Sequence, residues 1–106
     1  MKIEILYFEG CPNYVQARDA VDAVVKNLGV EATVTPVLVE TEADATSQRF
    51  LGSPSIRVNG HDIEPGADDE QQFSLRCRRY QADEGMQGFP PESMIRAAIL
   101  AERGKS

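Results

Sequence analysis

Residues 3–29 read IEILYFEGCPNYVQARDAVDAVVKNLG, and the pattern changes from strand to helix around Cys11. Residues 3–8 form a compact apolar and aromatic run interrupted by Glu4, which predicts a strand buried mostly on both faces. Beyond Pro12, apolar side chains recur at every third or fourth position, which predicts an amphipathic helix. Pro12 suits the first turn of that helix, and Gly29 suits its left-handed C-terminal cap. A thiol is therefore expected between the first strand and the first helix.

The next stretch predicts a second strand and a second helix. Residues 32–39 alternate and are rich in Val and Thr, and Pro36 implies an edge or bulge position. Strand, helix and strand in this order indicate a parallel βαβ unit. Thr41, followed three residues later by an acid, predicts the start of a short helix that runs to about residue 50 and ends at Gly52.

The second half of the chain contains the strongest local signal. Asn59-Gly60 supplies the positive φ angles of a tight hairpin between strands at residues 56–58 and 61–63. Residues 66–88 are polar and predict an irregular segment. Pro90-Pro91-Glu92 begins a last helix that has one apolar face.

Composition limits the class of protein. The chain has 106 residues, of which 42% are hydrophobic, which fits one domain spanning residues 1–106. Its formal net charge of −6 disfavours nucleic acid and anionic membrane surfaces as partners. The first ten residues lack the pattern of a signal peptide, and no apolar run is long enough to span a membrane. We therefore expect a cytoplasmic protein, in which two cysteines are too few for a disulfide scaffold.

The order β-α-β-α-β-β-α, with Cys11-Pro12-Asn13-Tyr14 after the first strand and Gly52-Ser53-Pro54-Ser55 before the hairpin, resembles thioredoxin and glutaredoxin. Residues 7–13, 50–58 and 77–80 are similar to small, poorly characterised bacterial thioredoxin-like proteins. The resemblance implies an α/β fold of three layers, α/β/α, around a mixed sheet. It also implies a thiol or disulfide substrate, either a protein or glutathione, and no cofactor.

Cys11 is the predicted nucleophile. A thiol at a helix N-terminus faces unpaired backbone N–H groups and the positive end of the helix dipole, which favour the thiolate. The structural alternative is an inert thiol that packs as a small hydrophobe. In the family that the chain resembles, a second cysteine commonly follows at the position of Tyr14, so the usual dithiol cycle is not available here. Tyr14 and Pro12 are instead predicted to contact the substrate.

Cys77 is the second candidate site residue. Its neighbours Arg76, Arg78 and Arg79 would favour the thiolate if their charges converge on it, whereas burial of the side chain is an equally reasonable reading. If its segment folds back over the Cys11 turn, the two thiols could form a disulfide, provided that their Cα atoms approach to about 6 Å.

Ser53 and Pro54 are predicted to bind substrate. The resemblance implies a cis peptide bond between them, with backbone beside the thiol where an extended peptide or glutathione could pair. From the sequence alone, an ordinary trans proline that starts a strand is the alternative.

The remaining polar residues carry weaker signals. His61 is expected to be a solvated turn residue, and Asp68-Asp69-Glu70 a solvated loop and not a metal site. Tyr7 and Tyr80 are expected in or near the core.

The sequence is compatible with three functions. The first is a thiol-disulfide or glutathione-linked oxidoreductase in which Cys11 attacks and Cys77 or an external thiol resolves. The second is a binding module that holds a soft metal ion between the two thiolates. The third is a non-catalytic protein that uses the same fold to bind a protein partner.

Overall fold

The computed structural model describes residues 1–104. In chain order the elements are β1 (Lys2–Tyr7), α1 (Tyr14–Leu28), β2 (Thr33–Leu38), α2 (Glu42–Ser47), β3 (Ser55–Val58), β4 (His61–Asp62), β5 (Tyr80–Ala82), β6 (Gly85–Gln87) and α3 (Glu92–Arg103), with a 3-10 helix (Ala67–Asp69) between β4 and β5. No helix within the described residues is both long and apolar enough to cross a membrane.

Four of the strands form one mixed sheet in the order β2-β1-β3-β4. β1 pairs with β2 in parallel and with β3 in antiparallel orientation, and β3 and β4 form the antiparallel hairpin. The predicted mixed α/β class with a mixed sheet and three helices is confirmed. Pro36 lies in the edge strand β2, where its missing N–H removes no bond to a further strand.

Strand β1 buries apolar side chains on both of its faces. Ile3 and Ile5 pack in one apolar cluster with α1, α3 and β3. Leu6 belongs to a second cluster, with Val39, Ala45 and Phe50. Because side chains alternate along a strand, β1 separates the two clusters, as its apolar run interrupted by Glu4 predicted.

Helix α1 begins later than the sequence predicted. Pro12 was expected in its first turn, but the helix starts at Tyr14, with Asn13 as its N-cap residue. The chain makes a turn first, in which the Cys11 N–H donates to the Phe8 carbonyl at 3.2 Å. At the other end Gly29 adopts the left-handed conformation (φ 65°), as expected of a C-terminal cap.

Helix α2 is shorter than predicted. Thr41 caps its N-terminus, since the Thr41 hydroxyl accepts from the Asp44 N–H at 3.0 Å. The predicted end near residue 50 is wrong, because the helix stops at Ser47 and Arg49 has a positive φ of 55°. This reversal lets the Phe50 N–H donate to the Ala45 carbonyl at 2.8 Å and buries the Phe50 ring.

The Asn59-Gly60 hairpin forms as predicted, with both residues at positive φ. The prediction that residues 66–88 are irregular is wrong in part. Their C-terminal portion forms the antiparallel pair β5–β6, which stands apart from the main sheet. Each of these strands has only three residues, too few for a clear alternation in the sequence.

Candidate functional site

Cys11 lies in the loop between β1 and α1 and is partly exposed. The turn before it is closed by its own N–H, and the Tyr14 N–H approaches the Cys11 carbonyl at 3.5 Å where α1 begins. Pro12 is exposed beside it. The loop therefore presents a thiol at the amino end of a 15-residue helix.

The first turn of α1 carries no carboxylate that would neutralise the amino end of the helix. Its first turn contains no acidic residue, and the side chain of Asn13 makes no capping hydrogen bond. That side chain packs against Gly88, where a Cβ would collide with the Asn13 amide. The positive end of the helix dipole is thus not neutralised by an acidic residue in the first turn of α1.

Tyr14 stands at the first position of α1, and its ring lies against that of Tyr7. The ring centroids are 4.3 Å apart and the planes are tilted by 34°. Tyr7 is the last residue of β1, so the contact joins the strand to the helix across the Cys11 loop. Substrate contact by Tyr14 stays a prediction beside this packing role.

Pro54 lies at the same end of the sheet as the Cys11 loop. The Ser53–Pro54 peptide bond is cis, as predicted. Leu6 pairs with Ser55 in the antiparallel register of β1 and β3, so β3 begins where β1 ends. Ser53 is fully buried, and within residues 1–104 its hydroxyl has no hydrogen-bond partner.

The backbone of Ser53 is already paired within the chain. Its N–H donates to the Arg76 carbonyl at 2.8 Å, and its carbonyl accepts from the Arg78 N–H at 3.0 Å. Ser53 and Cys77 thereby form a parallel bridge. The backbone groups that the resemblance offers to an extended substrate are therefore occupied by residues 76–78.

Arg78 lies on the interior side of this segment. Its guanidinium binds both carboxylate oxygens of Asp62, at 2.7 and 2.8 Å, and donates to the Ser55 hydroxyl at 3.0 Å. The side chains of Arg78 and Asp62 are only 7% and 4% exposed. Burial by itself would lower the pKa of Arg78, but the hydrogen-bonded carboxylate of Asp62 outweighs it and the pKa lies above its ordinary value. The idea that Arg78 directs its charge to Cys77 is therefore wrong.

Tyr80 extends this buried cluster to the cis peptide bond. Its hydroxyl donates to the Pro54 carbonyl at 2.6 Å, and Arg78 lies over its ring at 4.7 Å. Tyr80 is fully buried, as its predicted core position requires. Burial raises the pKa of its phenol well above the ordinary value, and the nearby charge of Arg78 opposes that shift only in part.

Cys77 itself is an exposed free thiol. It borders an open cavity of about 490 Å³ whose lining also includes Arg76 and Arg79. Cys11 is not among the residues that line this cavity. The alternative that Cys77 is a buried structural cysteine is wrong.

The segments that carry the two thiols share an apolar cluster and a cavity. Phe8, three residues before Cys11, and Leu75, two residues before Cys77, pack against the same apolar cluster. Both also border a second cavity, of about 300 Å³. Residues before Cys11 and before Cys77 therefore border the same cavity and the same apolar cluster.

Of the acidic residues 68–70, Asp68 makes hydrogen bonds to the hairpin at His61 and Asp62. The Asp68 carboxylate accepts from the Asp62 N–H at 3.0 Å and contacts the His61 Nδ1 atom at 3.2 Å. Burial opposes the shift, but these two hydrogen bonds lower the pKa of Asp68 below its ordinary value. His61 is exposed, as predicted for a turn residue.

Within residues 1–104 no group of three or more His, Cys, Asp or Glu side chains could hold a metal ion. The soft-metal alternative would thus rest on the two thiols alone.

The sequence did not predict the cluster of Asp62, Ser55 and Arg78. Arg78 and Asp62 are 16 residues apart, so no local spacing marks them as partners. The one available signal is weak: Asp62 is an acid in the short strand β4, two residues after Gly60 of the hairpin turn.

Comparison with protein-family models, with curated proteins and with solved structures gives no match to this chain.

Proposed function

We propose that this protein is a thiol–disulfide exchange protein of thioredoxin-like, three-layer architecture, with Cys11 as its nucleophile. The observation that carries the proposal is the position of Cys11. A partly exposed thiol precedes a helix whose amino end has no capping carboxylate, at the end of the sheet that also holds the cis bond of Pro54. The strand order β2-β1-β3-β4 and the apolar side chains buried on both faces of β1 support the architecture.

The proposed chemistry is a pair of exchange steps. The Cys11 thiolate attacks one sulfur of a disulfide, so that a new bond joins Cys11 to that sulfur and the other half leaves as a thiolate. A second thiolate then attacks the substrate's sulfur in the mixed disulfide and releases Cys11 as a thiolate. One substrate disulfide is consumed and another is formed, and each departing thiolate takes up the proton that the incoming thiol has lost.

The residues around Cys11 have separate roles in this proposal. Pro12 is the exposed residue of the loop, and Tyr14 packs against Tyr7. Residues 53–54 precede β3, which begins where β1 ends, next to the Cys11 loop. Because Ser53 has no free backbone pair for an extended peptide, small disulfides such as that of glutathione fit better than a peptide added as a strand.

The test is reduction of a small mixed disulfide by glutathione, measured with the 106-residue chain. The wild type should turn over the substrate, and Cys11→Ser should show only the uncatalysed rate. Arg79→Met, which alters an exposed residue next to the second thiol, serves as the control and should keep the activity. Equal rates for wild type and Cys11→Ser would refute the proposal and favour a non-catalytic role.

A further inference from the structure

We infer that Cys77 is the internal resolving thiol of this protein, so that oxidation produces a Cys11–Cys77 disulfide. This inference rests on the proposed role of Cys11 as nucleophile. The loop has Tyr14 where a second cysteine would stand. Cys77, 66 positions after Cys11, takes the role of that cysteine.

The first support is the attachment of Cys77 to the turn beside Cys11. Two backbone hydrogen bonds hold residues 76–78 to Ser53, directly before the cis bond of Pro54. The pairing of Leu6 with Ser55 places the end of β1 next to the turn at residues 53–54. The Cys11 loop leaves the sheet from that strand end.

The second support is independent of these hydrogen bonds. Phe8 and Leu75 pack on one apolar cluster and border one cavity, and each lies two or three residues before a cysteine. The backbone pairing at Ser53 and the shared apolar cluster of Phe8 and Leu75 thus both place the Cys77 segment near the Cys11 loop.

The third support is the direction of the Cys77 side chain. In an extended segment, successive side chains point to opposite sides. Arg78 points inward to Asp62, so Cys77 points away from the buried ion pair, and its side chain is exposed. The thiol is accessible while its backbone is held in place.

The anchoring also explains why this segment stays where it is. The Arg78–Asp62 pair and the hydrogen bond from Tyr80 to Pro54 fix it on the side that follows Cys77. Gly52 lets it approach closely, because a Cβ there would lie 2.9 Å from the Cβ of Arg78.

The reaction consumes one small disulfide, which is the oxidant. The Cys11 thiolate attacks it and releases one small thiolate. The Cys77 thiolate then attacks the Cys11 sulfur of the mixed disulfide and releases the second small thiolate. Two protein thiols lose two electrons and two protons, and the small disulfide takes them up to become two thiols.

The experiment is mass spectrometry of the full chain after reaction with oxidised glutathione. The wild type should lose the mass of two hydrogens as a monomer, and a digest without reductant should contain the Cys11 and Cys77 peptides joined. Cys77→Ser, a change at an exposed position, should instead retain a glutathione adduct on Cys11. Cys11→Ser should not form the internal disulfide.

A wild type that keeps the Cys11 adduct as long as Cys77→Ser does would overturn the inference and leave the proposed function standing. A disulfide-linked dimer would overturn it in the same way. If Cys11 takes up no glutathione even in Cys77→Ser, both the inference and the proposed function fail.

Discussion

Ser53 and Cys77 lie opposite each other in a parallel β-bridge, directly before the cis peptide bond of Pro54. The pairing joins the turn that starts β3 to a segment more than 20 residues further along the chain. It gives the chain's second thiol a fixed backbone position next to the strand end from which the Cys11 loop departs. The buried Arg78–Asp62 ion pair and the close approach at Gly52 hold that segment in place.

The buried ion pair should be a main source of stability for this region. Replacing Arg78 with Met leaves the carboxylate of Asp62 buried without its partner, which typically costs about 3–5 kcal/mol of unfolding free energy. Urea denaturation of Arg78→Met against the wild type measures this loss.

The matched control for that experiment is Arg79→Met. Arg79 is exposed, so its replacement should change the unfolding free energy by no more than about 0.5 kcal/mol. If the two variants were equally stable, the ion pair would not support the segment.

Gly52 tests the close approach of residues 76–78. Its φ of +129° disfavours any other residue, and a Cβ would also meet the Arg78 Cβ at 2.9 Å. Gly85 has a similar φ of +118° with nothing within 4 Å of the added Cβ. Gly85→Ala should therefore cost about 1–3 kcal/mol for backbone strain. Gly52→Ala should cost a further 1–3 kcal/mol or so for overpacking.

Thermal or urea unfolding of both glycine variants separates the two effects. Equal losses would mean that the segment moves aside without cost and is held loosely.

The raised pKa of Tyr80 makes the unfolding free energy depend on pH in the alkaline range. Its pKa in the folded protein is raised by burial, whereas the unfolded chain has the ordinary value near 10.0. The unfolded state therefore loses the proton first. The contribution of Tyr80 is constant below about pH 10 and falls above it, by up to about 1.4 kcal/mol per pH unit.

Tyr80→Phe removes this titration. At neutral pH the variant should be less stable by about 1–3 kcal/mol, since the Pro54 carbonyl loses its buried donor. Between pH 10 and 11 or so its unfolding free energy should fall less steeply than that of the wild type. All other titrating groups are shared, so parallel curves would show that the phenol ionises freely in the folded protein.

What the sequence could predict was governed by local signals. The Asn59-Gly60 hairpin, the Thr41 cap and the Gly29 cap each depend on the conformational preference of one or two residues, and all three form. The end of α2 was missed because burial of Phe50 overrides the local pattern. Local conformational preferences were thus reliable for turns and caps, whereas the end of α2 depended on tertiary burial.

The site divides in the same way. Cys11 could be located from the strand-to-helix change around it, and the cis Pro54 from the resemblance. The position of Cys77 could not, because it depends on a backbone pairing with Ser53 and on a buried ion pair between distant residues. Such pairings appear only once the chain has folded.

The central claim is that the fold makes Cys11 a better nucleophile than an ordinary thiol. The most direct measurement is the rate at which Cys77→Ser forms a mixed disulfide with oxidised glutathione, in its native state and unfolded in urea at the same pH. We predict faster reaction in the native state, because the loop holds the Cys11 thiol partly exposed, just before the amino end of α1, whose first turn has no acidic residue. Slower reaction in the native state, or none, would contradict it.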